Sequence, residues 1–156
     1  MINAHPSILL YLCKENNYPC YNLEYYINNR DLCISNLMND INGDRNDAKR
    51  LFLRSMNSER PIKKYLEGKK QFNIKDDFFK RLDDEFKQLQ KLFLVKYEEY
   101  KNQLIRKGIS DNLQGKVLNK VLCIYENKIL QEGINKLDTI NNIVLNGVRK
   151  NTIYVY

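Results

Sequence analysis

Apolar residues recur at intervals of three and four along almost the whole chain, and only three prolines and six glycines interrupt its 156 residues. That spacing lines one stripe of a helix and leaves the opposite face to polar side chains, so the chain is predicted to be mainly α. The length fits a single domain over residues 1–156, long enough to bury a core without disulfides or structural metal.

Pro6-Ser7 opens a helix through Lys14, and Ile8, Leu9, Leu10, Tyr11 and Leu12 are so continuously apolar that it is predicted to be buried nearly all round. Asn22 is placed to cap a helix with Leu23, Tyr26 and Ile27, and a further helix with Leu32, Leu37 and Met38 stops at Asn42-Gly43. Asp44 stands where an N-cap belongs, ahead of a helix whose packing residues are Ala48, Leu51, Phe52, Ser55 and Met56. Pro61 suits the first turn of a short helix with Ile62, Tyr65 and Leu66, closed by Gly68. The longest periodic segment runs from Lys75 to Arg106 through Phe78, Leu82, Phe86, Leu89, Phe93, Tyr97, Tyr100 and Leu104, and Gly108 ends it. Helices over Asn112–Gln131 and Ile134–Leu145 follow, and the β-branched and aromatic residues of Thr152–Tyr156 read as a C-terminal strand.

The formal net charge of +7 is concentrated: residues 45–70 hold nine cations against three anions. A focused basic patch attracts polyanions and weakens its hold as salt rises, so nucleic acid or nucleotide is the expected partner, with a solubilising lysine-rich hairpin as the plain alternative. No stretch approaches the roughly 18 apolar residues of a membrane span, and Met1–Pro6 has neither the basic nor the apolar region of a signal peptide, so an intracellular, non-membrane location is expected. Cys13, Cys20, Cys33 and Cys123 form no C-x-x-C pair and are read as reduced, mostly buried thiols.

Within the patch lies Arg45-x-x-x-Lys49-x-x-x-Leu53-x-x-x-Asn57-Ser58, a ridge that winds slowly around one helix. Two cations one turn apart, followed by an apolar residue and a small polar pair, suit a ligand with phosphates at one end and a base at the other. The same spacing also describes an ordinary solvated face.

The ridge resembles motif B of family A DNA polymerases and single-subunit phage RNA polymerases, where the pattern ends in Tyr-Gly. The block Ile2-Asn3-Ala4-His5-Pro6-Ser7-Ile8-Leu9-Leu10, the block Asp44–Arg54, and Gln114-Gly115-Lys116-Val117-Leu118 with Tyr125-Glu126-Asn127 look like the divergent family A-like polymerase domains of large DNA viruses and mobile elements. Those domains are often fused to primase or helicase modules. The resemblance implies a helical fingers-like subdomain with a partial palm and a short terminal strand. It also implies DNA and a nucleoside triphosphate as partners, flanking polymerase or primase-helicase fragments as further ones, and a role in viral or mobile-element DNA replication. Arg45 and Lys49 match the cations that contact the incoming triphosphate, and Leu53 matches the residue against the nascent base pair. Asn57 and Ser58 stand where the family has Tyr and Gly. Gln114 resembles a residue that reads the minor groove, or else simply starts a helix. His5 would lie beside the active site. The wider nucleic-acid contact is assigned to Arg50, Arg54, Arg60, Lys63, Lys64 and Tyr65, the last as a stacking platform.

The family's two metal-holding aspartates would fall just before Ile2 and just after Tyr156, and neither is present. Phosphoryl transfer by polymerases relies on two metal ions clamped by those carboxylates, so no catalytic or metal-binding residue is assigned and the isolated chain is expected to be inactive. Magnesium is expected only if another polypeptide supplies the aspartates. Asp76-Asp77, Asp83-Asp84-Glu85 and Glu98-Glu99 are read as solvated charges, because adjacent helical residues point about 100° apart and cannot converge on a metal. Two other readings stay open: a small basic helical protein that binds nucleic acid without polymerase ancestry, with a closed core, and an interaction module whose partner covers Phe86, Phe93 and Tyr97.

Overall fold

The computed structural model describes residues 4–62, 64–67 and 70–151, with side chains placed outside 64–73 and 138–151. The element order is α1 (Ala4–Glu15), α2 (Tyr21–Asn28), α3 (Arg30–Ile41), α4 (Arg45–Asn57), β1 (Lys64–Glu67), β2 (Lys70–Asn73), α5 (Asp77–Lys96), α6 (Glu98–Arg106) and α7 (Leu113–Asn151). The mainly helical prediction is met. The terminal strand expected over Thr152–Tyr156 lies outside the described residues.

Helix α5 is the axis of the fold. Phe79, Leu82, Phe86, Leu89 and Phe93 alternate by three and four, all are essentially buried, and they pack under α2, α3, α4 and α7. Truncating one such phenylalanine typically costs about 3–5 kcal/mol. The inward residue of the first turn is Phe79, where the sequence pattern pointed to Phe78, which is half-buried with its ring 5.1 Å from that of Tyr25. Because Phe86 and Phe93 are covered by the chain itself, the expected partner-binding face does not exist as an open surface.

Helix α1 presents one face, not all of its surface, to the core: Ile8, Leu9, Leu12 and Cys13 are buried whereas Tyr11 is 56% exposed. Leu32, expected to pack, is also exposed, and Cys33, Ile34, Leu37 and Ile41 carry the inner face of α3. Asn42 ends α3 in the left-handed conformation (φ 50°), which asparagine tolerates better than most residues, and the Gly43 amide reaches back to the Met38 carbonyl. Asn22 does not cap α2. It sits inside the first turn, and the cap comes from α5: buried Glu85 accepts from the Asn22 and Leu23 amides at 2.9 and 2.8 Å and from Asn22 Nδ2 at 2.8 Å.

Three element boundaries depart from the sequence reading. The segment after Pro61 is an antiparallel pair, with Tyr65 opposite Phe72 and Leu66 opposite Gln71, where a short helix was predicted. The Ile62 amide donates to Asp83 Oδ2 at 2.8 Å, which holds the chain extended as it enters β1, and aromatic residues directly opposite each other favour pairing. The long periodic segment divides at Tyr97 (φ −111°, ψ 49°), where Phe93, Tyr97 and Tyr100 form a run of near-parallel rings 5.8 and 5.9 Å apart. Conversely α7 runs unbroken through Gly133, where an added Cβ would meet nothing within 4 Å among the described residues.

The acidic cluster on α5 is likewise not simply solvated. Asp83 is 3% exposed, accepts from Ser55 Oγ at 2.5 Å and pairs with Lys87 at 2.8 Å, and Glu85 is 8% exposed. Buried carboxylates persist because each oxygen has a donor, and here those donors fix α2 and α4 onto α5.

Candidate functional site

Helix α4 is held at both ends. Asp44 accepts from the Asn46 and Asp47 amides at 2.7 and 2.8 Å, while Asp47 Oδ2 accepts from the Asp44 amide at 3.0 Å, a reciprocal capping box. At the other end, carbonyls left without helical partners are taken up by side chains: Lys87 Nζ donates to Ser55 O, Gln90 Nε2 to Met56 O and Asn112 Nδ2 to Asn57 O, at 2.6, 2.7 and 2.9 Å. Ala48, Leu51, Phe52, Ser55 and Met56 are buried as expected, so the orientation of the ridge about the helix axis is fixed.

Beside this helix lies a cavity of about 340 Å³, lined by Ala4, His5 and Pro6 from α1, Tyr26 and Arg30 from α2 and α3, Lys49 and Leu53 from α4, and Glu126 from α7, over an aromatic floor of Phe52 and Phe86. A step of four residues advances about 40° around a helix, so the four ridge positions cannot all face one way. The structure brings Lys49 and Leu53 to the cavity. Leu53 is 55% exposed, which an apolar residue on a buried face would not be. Arg45 lies before the cavity and pairs with Asp31 across α3, and its guanidinium holds the Asp31 carboxyl below the usual carboxylate range, first through the hydrogen bond and then through charge. Asn57 lies beyond it, donating from Nδ2 to the Leu53 carbonyl at 2.9 Å, at the joint between α4 and α7.

On the wall facing the ridge, His5 Nε2–H donates to Glu126 Oε2 at 3.1 Å, and Cys123 Sγ is 3.9 Å from the same nitrogen. This contact joins the start of α1 to the middle of α7, 121 positions apart. The Tyr26 ring meets Phe52 at a tilt, with ring centres 4.6 Å apart, and its phenol lies against Arg30: burial pushes the Tyr26 pKa up, and the neighbouring guanidinium opposes that shift. Lys49 makes no hydrogen bond or salt bridge among the described residues, although its charge, with that of Arg30, is felt by Asp31. The cavity therefore holds two permanent cations and one imidazole against a single carboxylate, over apolar walls. Such a lining suits a ligand with an anionic end and a flat or apolar end.

The remaining expected contacts lie outside this cavity. Arg50 and Arg54 are exposed on the outer face of α4, and Arg60 is exposed in the loop after it, beside Ser58, Asp111 and Asn112. Lys64 and Tyr65 belong to β1, and Lys63 lies outside the described residues. Gln114 is half-buried in the first turn of α7, with its Oε1 buried and without a partner among the described residues. Its neighbour Gly115 is pressed on the end of α4, where an added Cβ would come within 1.9 Å of the Asn57 carbonyl oxygen. Arg30 was not picked out from the sequence. Its entry into the cavity depends on how α3 leans between α2 and α4, which no local spacing signals.

Among the described residues no group of three or more His, Cys, Asp or Glu side chains could hold a metal ion, and no helix is long and apolar enough to cross a membrane. No family model, curated protein or solved structure matches the chain, so the functional reading rests on the cavity and the residues around it.

Proposed function

We propose that this chain is a nucleotide- and nucleic-acid-binding fragment of the family A-like DNA polymerase type, equivalent to the fingers with part of the palm, serving viral or mobile-element DNA replication. One observation carries this reading. The three sequence blocks that resemble the family, at His5-Pro6, at Lys49 and Leu53, and at Glu126, are far apart in the chain yet line one cavity. Lys49 and Leu53 stand on the cavity wall together with the His5–Glu126 pair.

The cavity is at the small end of ligand sites. It accommodates phosphates and part of a nucleoside and excludes a duplex. Nucleic acid would instead run over the outer face of α4, with Arg50, Arg54 and Arg60, onto the lysine-rich hairpin with Lys63, Lys64 and Tyr65. Polymerisation would require two metal-holding carboxylates, with Mg2+, supplied by further polypeptide.

A salt-titrated binding assay with single-stranded and primer–template DNA tests the reading, using the wild type and an Arg45→Ala, Lys49→Ala double variant. The expected result is DNA binding that falls steeply with salt in both proteins, and deoxynucleoside triphosphate binding that is lost only in the variant. Equal triphosphate affinity in the two proteins would remove the ridge from nucleotide recognition.

A further inference from the structure

We propose that Arg30 is the second phosphate-binding cation of the cavity, supplying its Nε–H and guanidinium fork beside Lys49, while Arg45 serves to neutralise Asp31. The inference rests on the nucleotide-binding reading and deepens it by naming the group that grips the phosphates.

Arg30 lines the cavity, and its Nε is buried without a hydrogen-bond partner among the described residues. A buried guanidinium N–H with no acceptor is costly, and a ligand acceptor that turns the Arg30 side chain toward the cavity would remove that cost. The rest of the side chain is already positioned: the Tyr26 hydroxyl lies against the guanidinium, and Tyr26 is held by its tilted ring contact with Phe52, which in turn meets Phe79 with ring centres 5.3 Å apart. A phosphate entering between α3 and α4 would meet Nε–H from one side and the Lys49 ammonium from the other, a forked donor and a mobile point charge on adjacent helices.

Asp31, the next residue of α3, stands near both cations but is 80% exposed, so solvent screens much of its pull on them. It feels Arg30 and Lys49 electrostatically, but its hydrogen bond goes to Arg45, and Arg45 is absent from the cavity wall. The ridge cation therefore has a task outside the ligand site. His5 is engaged with Glu126, so the cavity's one carboxylate is held on the α1–α7 side, away from the α3–α4 side where the phosphates would sit.

Calorimetric titration of the full chain with inorganic tripolyphosphate and with a deoxynucleoside triphosphate tests the assignment, using wild type, Arg30→Gln, Arg30→Lys and Arg45→Gln. The expected result is binding of both ligands by the wild type and at least tenfold weaker binding of both by Arg30→Gln, roughly the loss of one charge-assisted hydrogen bond. Arg45→Gln should stay within about twofold, as expected for an exposed pair. Circular dichroism establishes that each variant is folded. If Arg30→Gln does not fold, Arg30→Lys decides, since it keeps the charge but not the Nε–H and should bind severalfold more weakly. Wild-type affinity in the deciding Arg30 variant, or an equal loss in Arg45→Gln, would overturn the assignment while leaving the nucleotide-binding reading in place. Binding of the nucleoside triphosphate without tripolyphosphate would also overturn it, because the phosphates would then not be the gripped group. Binding of neither ligand by the wild type would overturn both.

Discussion

Replacing Gly115 with alanine isolates the joint that sets the ridge helix against α7. A Cβ at this position would stand 1.9 Å from the Asn57 carbonyl oxygen and 2.7 Å from Asn112 Oδ1, so something must move by more than an ångström. The obstacle is backbone, and the Asn57 carbonyl is itself held by Asn112 Nδ2 at 2.9 Å. Alanine gains at most about 1 kcal/mol over glycine in helix propensity. Overpacking costs roughly 1–3 kcal/mol, and its upper end or beyond applies where backbone must shift and a hydrogen bond is lost. The expected net loss is about 2 kcal/mol, a fall in Tm of roughly 4–8 °C for a domain of this size. Gly133→Ala is the internal control. It lies in the same helix, and an added Cβ there would meet nothing within 4 Å among the described residues, so only the propensity gain operates and Tm should rise by roughly 1–4 °C. Thermal denaturation followed by circular dichroism compares them directly. Equal shifts, or a stabilised Gly115→Ala, would refute the close approach of α4 and α7.

Glu85→Ala should be among the more damaging changes on α5, because it leaves the Asn22 and Leu23 amides and Asn22 Nδ2 without their acceptor; a loss of about 2–4 kcal/mol is expected in urea denaturation, with Glu85→Gln in between. Asp44→Ala removes the cap of the ridge helix and should cost about 1 kcal/mol, read as a lower urea midpoint with unchanged slope. Thiol alkylation at pH 8 should label half-exposed Cys123 well before Cys33, which is buried and whose pKa desolvation pushes up to about 11, so that little of its reactive thiolate form exists until the pH nears that value. Mass spectrometry of the tryptic peptides gives the order, and early labelling of Cys33 would contradict its burial.

The parts of the fold visible in the sequence are those governed by neighbours in the chain. Helix α4 could be read in full because Asp44, the Asp47 that answers it, and the stripe from Ala48 to Met56 all lie within its own turns. The hairpin could not, since Ile62, Tyr65 and Leu66 sit at helical spacing while the contact that holds the segment extended comes from Asp83 on α5. The roles of Asp83 and Glu85 were hidden for the same reason: their donors, on α2, on α4 and at Ile62, become neighbours only after the chain has folded. Periodicity continues through Tyr97, so the break there left no mark on the sequence, and the division expected between Gln131 and Ile134 does not occur in α7, where residues 131–137 are exposed.

The candidate site divides along the same line. Lys49 and Leu53 stood out in the ridge and His5 in the block that opens the chain, whereas Glu126 belonged to the Tyr125-Glu126-Asn127 block but was given no role, and the winding of the helix carries Arg45 and Asn57 away from the cavity. Arg30 enters from a third helix and only the tertiary arrangement shows it.

The central claim is that α1, α4 and α7 each contribute to one nucleotide site. Hydrogen exchange of the full chain, with and without a saturating deoxynucleoside triphosphate, tests it most directly. The account predicts that slowed exchange appears together in peptides covering His5, Lys49–Leu53 and Glu126, and is absent from the far end of α7. Slowing confined to the α4 peptide, or no change in any of the three, would contradict it.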